Sequence, residues 1–579
     1  MGGIIMKLPW KQAAAGLLLV STLTLSVPPV WADAAAAPAG LSASYDLNGA
    51  ASLQVKSLLQ EKTAAGWRIG AVVKLYNNSA VNVRVPDHEM RAKGSDGNTF
   101  TLQPSAANVK TIPAYGFVEL SYLLEIESQA PLSITDLLCV YVDWSVYPKA
   151  ETVLADVPVG SLLWRGKDAV IEDPALLKGW GEAFTIPGTN SPLEFTPVSM
   201  HKQFTGQSPT YVVKLAVRNP GEYAETLPDF TISGRSGSRS TLGTKVEGAP
   251  AEVNPGGTKY ISFAVTLEPE AQLDSLYVMT PESFLKQGQP APLTYWTGRL
   301  AFQPQASQNY ARLPVIKAGE TIAVDPHSQA VNPQLGVTLQ SLQWFENEGQ
   351  QFKTAVAKIK FANGSTSPVP LPQLGAELVS GSGVPYSGTQ LTSAVKEVLP
   401  GLGAVGTYTF AVPKSEEGSR FTLRLLEQQG QQLYRTPIAQ LQTEVTGDEL
   451  STELLKFYPF EMKIDSWGIS NMAMQNIVTK AFSYTYKLKM QLDIRTSDEV
   501  IADGAQPKLY MQIENLEGKI LTSKTYPLTG DNRLANGIQS IYFESTNSDQ
   551  LEYPITVKIY ELVPTPLGDT KRLISVMKQ

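Results

Sequence analysis

Few residues of the chain are of the types that do catalytic or metal chemistry, because its 579 residues include three His and one Cys. His88 and Glu89 begin half of the zinc signature His-Glu-x-x-His, in which two His on one helix face hold the metal and Glu is the base. Ala92 stands where the second His is needed, and the segment alternates like a strand. We therefore predict a packing position for His88, and no metal or other cofactor.

Ser-x-x-Lys strings could place a lysine beside a nucleophilic serine on a helix, as in penicillin-recognising enzymes. Examples begin at Ser283, Ser393 and Ser575, but the Lys-Thr-Gly partner motif is missing. Nucleophile elbows and Walker loops are missing as well. The sequence therefore predicts no catalytic residues and a protein that is not an enzyme, with an exported hydrolase as the least favoured alternative.

Three tryptophans are the candidate ligand-binding residues. Trp164 and Trp296 lie in the similar strings LLWRG and TYWTG, and Trp180 lies in a glycine-flanked linker. Tryptophan faces stack on sugar rings and also anchor protein interfaces. Because Trp164 and Trp296 recur at a domain edge, we expect them to pack in the interface between domain and linker. Sugar binding is the alternative. We expect Trp180 to be the most exposed of the three.

Charge and composition exclude some classes of protein. A formal charge of -7 argues against nucleic-acid binding, which needs a basic face. The 45 Gly and 40 Pro predict many turns, and the length predicts about three to five domains. Cys139 lies in an apolar run and has no second Cys to pair with, so we expect a buried thiol that packs as a small hydrophobe.

Residues 1–32 have the form of a secretory signal peptide. Lys7 and Lys11 precede an apolar stretch from Ala13 to Val27, which two prolines end. That stretch is shorter than the roughly 20 residues that a membrane helix needs. We predict a secreted, extracellular protein whose mature chain has no membrane span.

Four copies of one pattern fill the rest of the chain, marked by three landmarks in constant order. The first is a Ser that ends a strand and stands next to an apolar residue, at spacings of 142, 142 and 125, and the second is a Pro, at spacings of 142, 144 and 135. A third Pro, absent from the last copy, follows the second landmark by 27, 27 and 28 residues. The landmarks are Ser57, Ser199, Ser341 and Ser466; Pro86, Pro228, Pro372 and Pro507; and Pro113, Pro255 and Pro400.

The segments between landmarks alternate between apolar and polar residues with period two, as in strands with one wet face. About seven short strands in each copy predict an all-β protein of four tandem immunoglobulin-like antiparallel β-sandwiches. In the last copy, residues 471–482 look like an insertion. The predicted organisation is a signal peptide (1–32), a linker (33–47), repeat 1 (48–165), a linker (166–189), repeat 2 (190–302), a linker with a possible hairpin around Ala318-Gly319 (303–331), repeat 3 (332–446) and a divergent repeat 4 (456–579).

The strand VVKLAVRN, the glycine turn GSDGNTF and the strand PGGTKYISFAV resemble the immunoglobulin-like, telokin-like domains of unknown function in exported bacterial proteins. The resemblance covers most of residues 48–579. It implies a sandwich used for binding or spacing and carries no catalytic residues.

We therefore expect a secreted, non-enzymatic binding and spacing protein at the cell exterior. Its partner would be an extracellular protein or a cell-wall glycan, with no role for nucleic acid. The alternative is a carbohydrate-binding protein that uses the edge tryptophans. A weak calcium site between domains stays open.

Overall fold

The computed structural model describes residues 43–166, 169–246, 252–304, 313–429, 434–475, 477–480, 482–497, 499–502, 506–544, 546–547 and 551–579. The predicted signal peptide lies outside them. The described chain is almost entirely β-strand in several antiparallel sheets, which confirms the predicted all-β fold. Single 3-10 turns are present at Gly160–Leu162 and Pro174–Leu176. No helix among the described residues has the length and apolar character needed to cross a membrane.

Repeat 1 is a sandwich of two main sheets around one core. One sheet has the order β1-β2-β3-β9-β7, with β12 beside β2, and the other has the order β11-β10-β5-β6. Its strands are β1 (Tyr45–Asp46), β2 (Ala51–Lys62), β3 (Trp67–Asn77), β4 (Val83–Arg84), β5 (Glu89–Gly94), β6 (Thr99–Thr101), β7 (Gln103–Pro104), β8 (Thr111–Ile112), β9 (Phe117–Ile126), β10 (Ile134–Asp143), β11 (Ala150–Pro158) and β12 (Leu163–Trp164).

Repeat 2 has the same plan, with sheets β14-β15-β21-β19 and β13-β23-β22-β17-β18. The first strand of the second sheet comes from the preceding linker and pairs in parallel with β23. The strands are β13 (Leu177–Lys178), β14 (Glu194–Thr205), β15 (Ser208–Arg218), β16 (Glu225–Thr226), β17 (Thr231–Ser236), β18 (Arg239–Leu242), β19 (Thr244–Lys245), β20 (Glu252–Val253), β21 (Thr258–Thr266), β22 (Ser275–Phe284) and β23 (Leu293–Phe302).

Repeats 3 and 4 have separate cores but share one continuous ladder of eleven strands, in the order β32-β31-β27-β28-β30-β25-β24-β41-β40-β36-β37. The second sheet of repeat 4 is β33-β34-β35-β38. The strands are β24 (Leu335–Glu346), β25 (Phe352–Asn363), β26 (Val369–Pro370), β27 (Gly375–Ser380), β28 (Pro385–Gln390), β29 (Glu397–Val398), β30 (Gly403–Pro413), β31 (Arg420–Gln429), β32 (Tyr434–Glu444), β33 (Leu454–Phe457), β34 (Phe460–Gln475), β35 (Phe482–Thr496), β36 (Lys508–Glu514), β37 (Ile520–Tyr526), β38 (Gly537–Tyr542), β39 (Thr546–Asn547), β40 (Thr556–Thr565) and β41 (Gly568–Lys578).

Each landmark serine follows a β-bulge in the first long strand of its repeat. The register shifts between Val55 and Ser57 in repeat 1, and at the matching residues of the other three repeats. A bulge inserts one residue and changes which face the following side chains occupy. In repeat 1, Leu58 therefore joins the core while Leu59 faces repeat 2.

A buried asparagine recurs at the end of the second long strand, as Asn77, Asn219 and Asn363. The Asn219 side-chain amide donates to the backbone oxygens of Tyr223 and Val253, at 2.7 and 2.8 Å. Asn77 and Asn363 make the corresponding pairs of bonds. Each asparagine thus fixes the loop after its strand by bonding to a backbone oxygen of the loop and to one in the neighbouring segment.

Replacing Asn77 by alanine should lower the free energy of unfolding by about 1–3 kcal/mol, because the hydrogen bonds of its buried side-chain amide are lost. The neighbouring exposed Asn78 is the matched control, and its replacement by alanine should change the free energy by less than about 0.5 kcal/mol. Urea unfolding followed by circular dichroism measures both. Equal effects of the two substitutions would contradict the role given to Asn77.

The possible hairpin around Ala318-Gly319 is corrected by the structure in the described part of that linker. A turn is present, but its arms bond to different strands. The Ile316 amide donates to Gln442 of β32, and the Ile322 amide donates to Val337 of β24, at 2.9 and 2.8 Å. The edge of β32, and the part of β24 that precedes its pairing with β41, take up the backbone groups of the linker, so the arms do not need one another.

Candidate functional site

The features that join one repeat to the next are charged side chains buried at the junctions. Lys214 and Lys358 hold equivalent positions, each directly opposite a landmark serine in the ladder. Along their strands both lysines alternate with core residues, so their side chains lie on the outer face of their own sandwich. The following repeat covers them, which leaves each lysine about 2% exposed. A buried cation needs a partner, because desolvation costs several kcal/mol.

The junction of repeats 2 and 3 supplies that partner as Glu427 on β31. The Lys214 ammonium donates to a Glu427 carboxylate oxygen at 3.1 Å, and both side chains are buried. The second carboxylate oxygen accepts a hydrogen bond from the backbone N–H of Gln329 at 3.1 Å. Near this pair, burial lowers the pKa of His201 to about 4, so this imidazole is neutral at neutral pH. The pair ties repeat 2 to repeat 3 and to the linker between them.

The junction of repeats 3 and 4 contains a buried triad. Glu561 on β40 accepts Lys358 at 2.5 Å through one oxygen and Arg572 at 2.6 and 3.0 Å through the other. Lys358 also donates to the backbone oxygen of Tyr458 at 2.6 Å. Burial by itself would raise the pKa of the Glu561 carboxyl, but Lys358 and Arg572 outweigh burial and hold the pKa below its usual range. Glu561 is therefore ionised between two cations.

The junction of repeats 1 and 2 has its charged residues at other positions than the two later junctions. As in those junctions, the earlier repeat supplies a cation and the later repeat supplies an acid. Glu282 on β22 accepts Lys56 at 3.2 Å and the hydroxyl of the landmark Ser57 at 3.1 Å. Arg299 also donates to Glu282, and to the backbone oxygen of Lys56 at 2.7 Å. Lys74 donates to the backbone oxygen of Gly188 in the linker at 2.8 Å.

The two ends of the array lack these groups at the equivalent positions. In repeat 4, Gln491 lies opposite the landmark serine where repeats 2 and 3 have lysine, and it is exposed. In repeat 1, Tyr141 takes the place of Glu427 and Glu561 and is also exposed. The charged residues thus occur where a neighbouring repeat covers them.

The three predicted tryptophans lie at or near the first seam. Trp164 is 8% exposed, packs edge to face on Tyr277 and lies against Gly298, where a Cβ atom would collide with the indole. Trp296 is half-buried against the same apolar cluster. Trp180 is half-buried beside Phe302 of repeat 2. The structure thus places Trp164 and Trp296 together and Trp180 apart from them.

The other chemistry-bearing residues of the sequence have structural surroundings. His88 bonds through one ring nitrogen to Pro86 and through the other to the Tyr122 hydroxyl, at 2.6 and 2.7 Å. The equivalent residues Phe230, Leu374 and Leu509 are buried. Cys139 is buried, and burial raises the pKa of its thiol to about 12. Among the described residues, no group of three or more His, Cys, Asp or Glu could hold a metal ion.

An exposed aromatic loop at the free end of repeat 1 was missed by sequence reasoning. Trp144 is 71% exposed, and Tyr147 is fully exposed. The Lys149 ammonium lies 5.1 Å from the centre of a Trp144 ring. These aromatics do not recur in the other repeats, and recurrence was the signal that selected Trp164 and Trp296. The aspartate-to-proline string DWSVYP, which has the composition of a turn, could have pointed to the loop.

A groove of about 1110 Å³ lies where repeat 3 meets the linker on one side and repeat 4 on the other. Basic side chains (Lys317, Arg420 and Lys456) and acidic ones (Glu444, Asp448 and Glu449) line it. The acidic residues come from one stretch of chain, the last residue of β32 and the segment after it, whereas a glycosidase pair lies on two sides of the scissile bond. Burial raises the pKa of Asp448.

Comparisons with known proteins give only distant structural likenesses. No protein-family model and no curated protein sequence matches the chain. A mutant of Salmonella alpha-2-macroglobulin aligns over 96% of this chain at 11% identity with a TM-score of 0.13, and the chain spans 41% of that protein. An exo-chitosanase of Amycolatopsis orientalis aligns over 89% of this chain and 92% of its own at 6% identity, with a TM-score of 0.11. At these scores neither likeness supports an inference about function.

Proposed function

We propose that the chain is an exported, non-enzymatic protein of four tandem immunoglobulin-like domains, which acts as a binding and spacing module at the cell exterior. Its partner is an extracellular protein or a cell-wall glycan. The signal-like N-terminal sequence supports export, and the repeated sandwich supports a role in spacing.

The observation that carries the proposal is the buried ion pair at each junction. A flexible string of domains would leave these lysines and glutamates in water, where an ion pair contributes little. Here Lys214 with Glu427, and Lys358 with Glu561, are enclosed by the meeting of two repeats. Bending at a junction would expose or separate such a pair, so the pairs favour a fixed angle between neighbours. A stiff row of domains holds its two ends at a set distance.

Small-angle X-ray scattering of the chain from Asp33 tests this stiffness. We expect a narrow distribution of distances for the wild type and a broader one for Lys214→Ala. That change leaves Glu427 buried without its cation, a loss worth about 2–5 kcal/mol at an interface. Lys259→Ala, at an exposed position of the same repeat, is the matched control and should scatter like the wild type. Wild-type scattering typical of freely jointed domains would remove the spacing function.

Carbohydrate binding is the second candidate function, and the exposed loop of repeat 1 favours it. Sugar rings stack on tryptophan and tyrosine faces, and Trp144 and Tyr147 present such faces to solvent. Retention of the chain on purified cell wall, with Trp144→Ala as the variant, tests it. Retention that is unchanged by Trp144→Ala would remove this loop as the sugar site.

A further inference from the structure

The first hairpin of repeat 4 is longer than its counterparts. Its strands β34 and β35 have 16 and 15 residues, whereas the matching strands of the other repeats have 11 or 12. The described residues of 471–482, the segment predicted as an insertion, fall at its end. Tyr484 and Tyr486 of β35 are buried in the core of repeat 4, whereas Met472 and Met474 on β34 and the described residues of the turn are exposed.

The end of this hairpin exposes apolar side chains, which we call the hairpin tip: Met472, Met474, Ile477, Val478 and Phe482. Ile477 and Val478 are 83% and 88% exposed, and the two methionines are more than half exposed. Single exposed apolar residues are ordinary, but a contiguous group indicates a surface that another molecule covers.

Lysines outnumber acidic residues around the tip, although exposed Glu544 also lies beside β35, between its pairing partners β38 and β39. Lys480 lies in the turn, and Lys487 and Lys489 lie on the outer face of β35, the face that also carries Met472 and Met474. The sequence holds no Asp or Glu between Asp465 and Asp493, although acids outnumber bases in the chain as a whole. Lysine stems reach along apolar surface and keep the ammonium at a polar boundary. Exposed Tyr542, 5.1 Å from the Lys487 ammonium, extends this face with an aromatic ring suited to a lipid interface.

We propose that the hairpin tip inserts into the surface of a bilayer that contains anionic lipids. The apolar side chains enter the boundary between headgroups and acyl chains, and the lysines meet the headgroup phosphates. A second copy of this chain is a poorer occupant, because joining two tips would bring six lysines together. This inference goes beyond the spacing function and does not depend on it. It places the end of repeat 4 at a membrane surface.

Vesicle co-sedimentation of the chain from Asp33 tests the proposal. We expect binding to vesicles of phosphatidylcholine mixed with phosphatidylglycerol, weaker binding to pure phosphatidylcholine, and weakening by salt. The double substitution Ile477→Ser with Val478→Ser should weaken partitioning about tenfold or more, because less apolar surface is buried. Leu516→Ser, at an exposed apolar position in another turn of repeat 4, is the matched control and should bind like the wild type.

A second measurement separates insertion from any effect on folding. A tryptophan introduced by Ile477→Trp should shift its fluorescence to shorter wavelength when anionic vesicles are added, and one introduced by Leu516→Trp should not. Equal binding of the wild type and the double variant would overturn the proposal. So would equal binding to neutral and anionic vesicles, or a wild-type dimer that the double substitution abolishes, since the last result would assign the tip to a second copy.

Discussion

Replacing Glu561 by alanine should lower the free energy of unfolding of repeats 3 and 4 by about 3–5 kcal/mol. The substitution leaves Lys358 and Arg572 buried without an anion, and both are no more than 2% exposed. The cost therefore comes from two uncompensated cations more than from the lost bonds. Urea unfolding and calorimetry of the chain from Asp33 measure the loss.

Two comparisons isolate this cause. Glu499 pairs with Lys360 across the same two repeats at 2.6 Å but is 73% exposed, so Glu499→Ala should cost less than about 1 kcal/mol. Replacing Lys358, Glu561 and Arg572 together by methionine or leucine should cost much less than Glu561→Ala, because no buried charge remains. If the triple substitution proves as costly as the single one, unpaired charge is not the reason.

The same triad predicts a pH dependence. Its cations hold the pKa of Glu561 below the usual value of 4.5. A carboxyl whose pKa is lower in the folded state contributes stability above its unfolded pKa, and that contribution disappears as the pH falls through the folded pKa. The stability difference between the wild type and Glu561→Gln should therefore be constant near neutral pH and shrink in acid. A difference that stays constant down to the acid limit of folding would show that Glu561 is not ionised.

Much of the fold could be predicted from the sequence because its signals are local. Alternation in strands such as β15, with Val213, Leu215 and Val217 facing the core, reports which side of a strand is buried within its own sandwich. The landmark serines recur because each follows a bulge, and a bulge is fixed by a few neighbouring residues. Copy number and fold class follow from such patterns.

The junctions could not be predicted, since no local pattern distinguishes a wet face from a face that the next repeat covers. Lys214 alternates with core residues as any solvent-exposed lysine of an amphipathic strand does. Its partner Glu427 is 213 residues further along the chain. The exposed Trp144 was missed because the tryptophans were selected by their recurrence at domain edges. Such recurrence indicates a residue that packs against the fold. A ligand contact made by a single repeat need not recur.

Trp164→Ala should lower the free energy of unfolding by about 3–5 kcal/mol, because a large aromatic side chain is lost from a closed seam. Trp164 lies on β12, which pairs in parallel with β2 of its own repeat, while its ring packs on Tyr277 and Gly298 of repeat 2. The cavity would open between the repeats, so the substitution should also loosen their junction and broaden the scattering distance distribution.

Trp144→Ala is the matched control for this change, since it removes the same side chain from an exposed loop of the same repeat and should alter the free energy of unfolding by less than about 0.5 kcal/mol. The pair of variants also separates the two interpretations of the edge tryptophans. If Trp164 seals the seam, Trp164→Ala should lower the free energy of unfolding. The molecules of this variant that remain folded should bind to cell wall as well as the wild type does. A ligand role predicts the reverse: Trp164→Ala would leave stability unchanged and abolish retention, and that result would refute the seam assignment.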